Sequence, residues 1–326
     1  MQKPIVVVGS INLDLVAGAD RIPRAGETIL GRSFNTFYGG KGANQAVAAA
    51  NLGYPVVMVG NVGSDAFGTQ LRRGLENAGV ETACVTTVEG ASGVALITTG
   101  AGGENSIVVV PGANGELTPK RLEQSASLLE RAGFLLAQLE IPLETVDFLA
   151  QFAERRDIPL MLDPAPAREL PRALLHRLTW ITPNETETET LLGTKLEHGG
   201  PNCDESGCEA AAESLLDSGI RNVVLKLGQR GCLVAQGHLA KVRVAAFSVN
   251  AVDTTAAGDA FNAGFAVGLM RGFTPERSAV FASAVAAISV TRPGAQPSMP
   301  TLAEVHAFLS ERLGPGAFQL AVESTV

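Results

Sequence analysis

Short runs of Val, Ile and Leu alternate with Ala-rich amphipathic stretches along most of this chain, and that alternation is what most restricts its fold. A strand inside a parallel sheet is covered on both faces and reads as a continuous apolar run, while the connection to its parallel neighbour crosses over through a helix. Runs at 5–8, 56–59, 134–139, 160–162, 180–182 and 223–227 are predicted as such strands. Apolar spacing predicts helices over 42–52, 67–78, 119–132, 144–155, 209–217 and 257–270. The expected fold is α/β, a central mainly parallel sheet flanked by helices.

Two stretches, 14–38 and 86–110, break this rhythm and leave no room for a helix. Within the second, 93–99 and 106–110 read as strands paired around a turn at 100–103, so a small antiparallel β lid or oligomer contact is expected. Residues 199–207 read as a polar insertion and 314–326 as a loosely held tail, which leaves 1–313 as one domain.

Charge and cysteine content narrow the partners. With 33 Asp and Glu against 25 Lys and Arg and no dense basic run, the chain lacks the clustered positive charge that nucleic-acid backbones require. Cys84, Cys203, Cys208 and Cys232 are too few and too irregular for a disulfide framework, and with His198 they match no standard zinc spacing. The first apolar run stops at Gly9 and Ser10, short of a signal-peptide core, and the run 260–270 is too short to span a bilayer. The expectation is a cytoplasmic protein with no nucleic-acid and no membrane partner.

Four segments carry candidate chemistry. Asn12 and Asp14 follow the first strand at period-two spacing, so on extended chain both side chains point the same way, able to bond neighbouring hydroxyls of a polyol; the same residues also stabilise turns. Gly39, Gly40 and Gly42 surround Lys41 ahead of Asn44, letting backbone approach a ligand closely, although a glycine turn before an ordinary helix has the same look. The loop lacks the Ser or Thr of a phosphate-binding lysine motif after Lys41, and no dinucleotide glycine pattern follows the first strand. Around Asp259, the small residues Ala256, Ala257 and Gly258 open a helix whose free N–H groups would form an anion site with a carboxylate beside it; the helix dipole alone also favours Asp there. Asn184 and Glu187 read as a capping box, compatible with Glu187 holding water on a Mg²⁺ ion. Lys226, Gly228 and Gly231 at another strand end suit a nucleotide edge, and Glu140 is a further charged group past a strand.

Taken in order, these segments resemble the ribokinase family of carbohydrate kinases, within the broader phosphofructokinase B group. The likeness runs from about Ile5 to Leu313 and includes Gln45 to Ala49, Gln138-Leu139-Glu140, the stretch from Asp163 to Pro171, and that from Thr291 to Ser298. It implies transfer of the γ-phosphoryl group of ATP to the 5-hydroxyl of D-ribose. By the same resemblance, Asn12, Asp14, Gly40, Lys41, Asn44 and Glu140 would bind the sugar. Asp259 would be the base, needing no raised pKa, and N–H groups from Ala256 through Ala257 and Gly258 to Asp259 would form the anion hole. Asn184, Glu187, Lys226, Gly228, Gly231 and Gly258 would meet the nucleotide or, at Glu187 through water, its Mg²⁺. A K⁺ ion would be held by Asp253 and carbonyls of Thr255, Ser289, Arg292 and Gly294, with Ser298 nearby. Two lids would clasp in a homodimer. Lys226 stands where many relatives have Thr and Ser283 where some have His, which affects base contacts but not phosphate chemistry. A kinase for 2-deoxyribose or a nucleoside, and a sugar sensor without catalysis, are the competing readings.

Overall fold

The computed structural model describes residues 2–196, 204–237, 239–316 and 318. Its strands are β1 Ile5–Val8, β2 Asn12–Gly18, β3 Ser33–Gly39, β4 Val56–Gly63, β5 Glu81–Val88, β6 Gly93–Thr99, β7 Asn105–Val110, β8 Phe134–Ala137, β9 Leu160–Leu162, β10 Trp180–Ile181, β11 Asn222–Lys226, β12 Cys232–Gln236 and β13 Val242–Val244. Nine form the main sheet in the order β13-β12-β11-β10-β9-β8-β1-β4-β5, all running one way except β12, which is antiparallel to both of its neighbours near one edge. Central β1 shows why the run is unbroken: Ile5 and Val7 belong to the core on one face, Val6 and Val8 to the core on the other, and all four are fully buried. Each such side chain contributes about 1.5–3 kcal/mol on burial.

The expected helix over 257–270 forms as Ala257–Met270, and those over 42–52, 67–78 and 144–155 form within a residue of their predicted ends. The stretch 119–132 instead makes two short helices, Pro119–Glu123 and Ala126–Leu129, broken at Gln124 and Ser125. Strands β5, β12 and β13 are additional to the predicted ones. Half-exposed β5 shows no period-two alternation, its buried residues Thr82, Val85 and Val88 falling three apart, and its last three residues, 86–88, belong to the main sheet and not to the lid. The lid itself has the order β3-β2-β6-β7, two antiparallel hairpin-like pairs joined by a parallel β2–β6 contact, and it starts at Asn12, where the chain leaves β1.

Two expectations about the periphery change. The helix expected over 209–217 begins at Glu205, capped by Asp204, so Cys208 is a buried core residue and not part of a polar insertion; His198 and Cys203 lie outside the described residues. Of the stretch 314–326 expected to be a loose tail, 317 and 319–326 lie outside the described residues, while Phe318 stacks on Phe281 at 6.2 Å and meets Phe273 edge-on at 5.6 Å, with the Arg277 guanidinium 4.8 Å from its ring. No helix among the described residues is long and apolar enough to cross a membrane.

Candidate active site

The carboxyl ends of β1, β8, β9, β10 and β11 converge on one crevice, the usual ligand position in an open parallel sheet. Its floor depends on glycine. A Cβ on Gly42 would lie 2.7 Å from the Gly9 carbonyl carbon and the Ser10 nitrogen, and Gly40, at φ +87°, sits equally close to the Asn12 nitrogen. Only bare backbone lets the Lys41–Asn51 helix start this near the β1–β2 connection. Glu140 fastens the approach: its Oε2 accepts from Ser10 Oγ at 2.5 Å and from the Lys41 N–H at 3.1 Å.

Asn12 and Asp14 share one face of β2, as their spacing predicts. Asn12 is buried and its Oδ1 accepts from Asn114 Nδ2 at 2.7 Å, while Asn114 Oδ1 accepts from the Ile11 N–H at 2.9 Å. Asp14 titrates at about 6, raised by burial and then by the charges of Glu140 and Asp259. Lys41 lies among four carboxylates: burial disfavours its charge, but Asp259, Asp163, Glu140 and Glu187 outweigh this and hold its pKa above the ordinary lysine value.

Asp259, 5% exposed, occupies the centre. Its Oδ2 accepts from Asn44 Nδ2 at 2.9 Å and its Oδ1 from Gln45 Nε2 at 3.0 Å. Burial lifts its pKa to about 6, against the lowering charge of Lys41 and with the raising charge of Asp163, a shift the expected base chemistry does not require. The Ala257–Met270 helix has no side-chain cap, and Ala256 before it takes a left-handed φ of +58°. Ala257 N–H donates to Thr254 O at 3.2 Å, whereas those of Ala256, Gly258 and Asp259 have no acceptor among the described residues. Three of the four expected anion donors are thus available and one is turned into the loop.

Where a nucleotide is expected, Asn184 and Glu187 form the predicted capping box: Glu187 N–H donates to Asn184 Oδ1, and Asn184 N–H to Glu187 Oε2, both at 2.8 Å. Lys226, at the end of β11 and joined to Asn184 by an isolated parallel β-bridge, pairs with Asp163 Oδ1 at 3.0 Å, and its Nζ lies 3.5 Å from where a Cβ on Gly258 would be. Gly228 and Gly231 take positive φ around the turn that follows. Ser283 is buried against the thiol of Cys232, which burial pushes up to about 12.

The candidate cation loops also meet. Asp253 Oδ1 accepts from Thr255 N–H at 2.8 Å and Thr255 Oγ1 at 2.6 Å, and its Oδ2 from Gly294 N–H at 2.8 Å. Among the described residues the carbonyls of Thr255, Arg292 and Gly294 accept no hydrogen bond, while that of Ser289 accepts from Arg292 N–H. The Ser289 and Ser298 hydroxyls turn to carbonyls of their own segments, and the Arg292 guanidinium pairs with Glu304.

Gln45, Gln138, Asp163 and Asn114, to which the sequence assigns no role, link the pieces. Asp163 and Gln138 stand just past β9 and β8, the same strand-end signal that singled out Glu140.

Comparison with known proteins matches residues 2–302 to the pfkB family carbohydrate kinase model. A ribokinase of Bacillus subtilis is 42% identical over 94% of this chain and 100% of its own length. A deoxyribokinase of Salmonella typhi is 39% identical over 94% of this chain and 98% of its own. The structure of Arabidopsis thaliana ribokinase complexed with ribose and ATP superposes with a TM-score of 0.89 at 34% identity, covering 95% of this chain and 99% of that one.

Proposed function

Because this chain belongs to the pfkB family of carbohydrate kinases, we propose that it is an ATP-dependent ribokinase, forming D-ribose 5-phosphate and ADP. One observation carries the mechanism: the buried carboxylate of Asp259 stands at an uncapped helix start, tied to the glycine-loop helix on the sugar side. The 5-hydroxyl oxygen attacks the γ-phosphorus, its proton passes to Asp259, and the bond to the bridging β–γ oxygen breaks to release ADP. The N–H groups of Ala256, Gly258 and Asp259 stabilise charge on the transferring phosphoryl oxygens. Asn12, Asp14, Gly40, Lys41, Asn44 and Glu140 orient the sugar, and Asn184, Lys226, Gly228 and Gly231 bind the nucleotide. The expected compartment is the cytoplasm.

The donor sets fit the two expected cations. Both Glu187 oxygens already accept from Asn184, at 2.8 and 3.0 Å, so a remaining lone pair suits a Mg²⁺ held through water, which would screen the triphosphate. Asp253 with the unengaged carbonyls of Thr255, Arg292 and Gly294 is a hard oxygen set suited to K⁺, which would supply charge and rigidity beside the anion hole.

The deoxyribokinase relative gives 2-deoxyribose a specific claim as acceptor. Paired Asn12 and Asp14 favour ribose, since a site built to bond a hydroxyl rejects the analogue lacking it. ADP release from Mg·ATP is to be measured with D-ribose, 2-deoxyribose, fructose 6-phosphate and adenosine, each in K⁺ and in Na⁺. Ribose-dependent turnover, faster in K⁺, is the expected result, and Asp253→Ala is expected to erase the difference between the cations. Chief turnover on another acceptor would overturn the sugar assignment but keep the phosphoryl chemistry, and ribose binding without ADP release would indicate a sensor.

A homodimer through the lid follows from the same reading. Every residue of β7 is exposed, Val108 at 57% and Ile107 at 51%, with Leu96 and Phe34 also exposed on neighbouring strands, an apolar patch that a second copy would cover. Val108→Glu is expected to convert a dimer to a monomer in sedimentation velocity; a monomeric unmodified protein would refute the lid contact.

A further inference from the structure

We propose that Gln45 is a positioning residue for phosphoryl transfer, its side-chain amide tying the Asp259 carboxylate to a second buried carboxylate at Asp163. The proposal rests on the reading of Asp259 as the base. Gln45 is 1% exposed, and its Nε2 donates to Asp259 Oδ1 at 3.0 Å and to Asp163 Oδ2 at 3.1 Å, so both amide protons are spent on carboxylates. The preceding Asn44 holds the other Asp259 oxygen at 2.9 Å. Gripped at both oxygens by neighbouring residues of one helix, the carboxylate cannot turn.

A reversed Gln45 amide would aim its carbonyl at two acids. Gln138 prevents this by donating from Nε2 to Gln45 Oε1 at 2.7 Å. Gln138 in turn occupies room left by Gly9, where a Cβ would stand 2.1 Å from Gln138 Oε1. On the far side, Lys226 holds the remaining oxygen of Asp163 at 3.0 Å. The contacts therefore run without a gap from the nucleotide side through Asp163 and Gln45 to the base.

The charged groups facing Asp259 are Lys41 from the glycine-loop helix, Asp163 past β9 and Asp14 from β2, with Lys226 acting through Asp163. Removing the amide takes a donor from the ionised form of Asp259 and leaves two acids facing each other in a buried gap. Both effects favour its protonated form.

Gln45→Met keeps the side-chain length and removes the donors; Gln138→Met leaves Gln45 in place and frees its amide. The Asp259 side-chain carboxyl is to be titrated by ¹³C NMR in protein labelled at aspartate carboxyls, its signal assigned by its loss in Asp259→Asn. Its midpoint is expected to rise by about half a pH unit or more in Gln45→Met and by less in Gln138→Met. In turnover, kcat is expected to fall about 10–100-fold with KM nearly unchanged, and its acidic limb to move the same way. An unmoved midpoint in folded Gln45→Met overturns the proposal, as does a raised KM with unchanged kcat; if that variant does not fold, an unmoved midpoint in Gln138→Met overturns it. The titration needs no turnover, so a protein inactive on ribose refutes the activity while the midpoint still decides the bridge.

Discussion

Asp259→Asn is expected to lower kcat about 10³-fold, the middle of the range for loss of a general base, with a much smaller change in ribose affinity. The substitution removes the proton acceptor and keeps the shape. It also forces one amide N–H to face a donor, because Asn44 and Gln45 each present N–H to one carboxylate oxygen. That mismatch destabilises the folded protein by about 1–3 kcal/mol. Stopped or steady-state assays of ADP release give kcat, and calorimetry with ribose gives affinity; an equally active variant would sink the assignment of the base.

The same carboxylate sets a pH dependence. With a midpoint of about 6, Asp259 is ionised above that pH, so kcat is expected to plateau above 6 and fall roughly tenfold per unit below it. Stability moves oppositely. The folded protein takes up this proton near pH 6, whereas an unfolded aspartate does so near its ordinary value of 3.8. The contribution to stability is therefore fully present below 3.8 and is lost as pH rises through 6. If Asp259 is the base, holding it ready in a buried site costs the fold some of its stability at neutral pH.

The parts legible in the sequence are those whose physics is local. A doubly covered strand such as β1 must be apolar throughout, and the helix from Ala257 carries its start in the small residues Ala256, Ala257 and Gly258 before Asp259. The capping box at Asn184 is written in a three-residue spacing. Edge strands β5 and β13 bury one face or less, so their pattern is weak. The carboxylate network was not legible because its members, Gln45, Gln138, Asp163, Lys226 and Asp259, meet only through the order of β8, β9 and β11 in the sheet. No periodicity records that order. Burial, which moves Asp14 and Asp259 away from ordinary carboxylate behaviour, is likewise a product of the assembled crevice.

Asp14→Ala is expected to lower kcat/KM for ribose by roughly 10²–10⁴, the equivalent of two charge-assisted hydrogen bonds at about 1.5–3 kcal/mol each. The loss should fall mainly on KM, since in the proposed mechanism Asp14 orients the sugar and takes no part in the proton transfer. Two details make the test sharper than a loss of activity. Asp14 titrates at about 6, so the ribose KM of the unmodified protein should rise as pH falls through 6, and this rise should vanish in Asp14→Ala. Asn12 and Asp14 sit on one face of β2 with Asn12 fixed by Asn114, a spacing suited to adjacent hydroxyls of one sugar ring. If Asp14 bonds the 2-hydroxyl, its removal penalises ribose more than 2-deoxyribose and narrows the preference between them. An equal loss on both sugars would place Asp14 on a hydroxyl they share, and the discrimination would then have to come from Asn12 or the Gly40–Lys41 backbone.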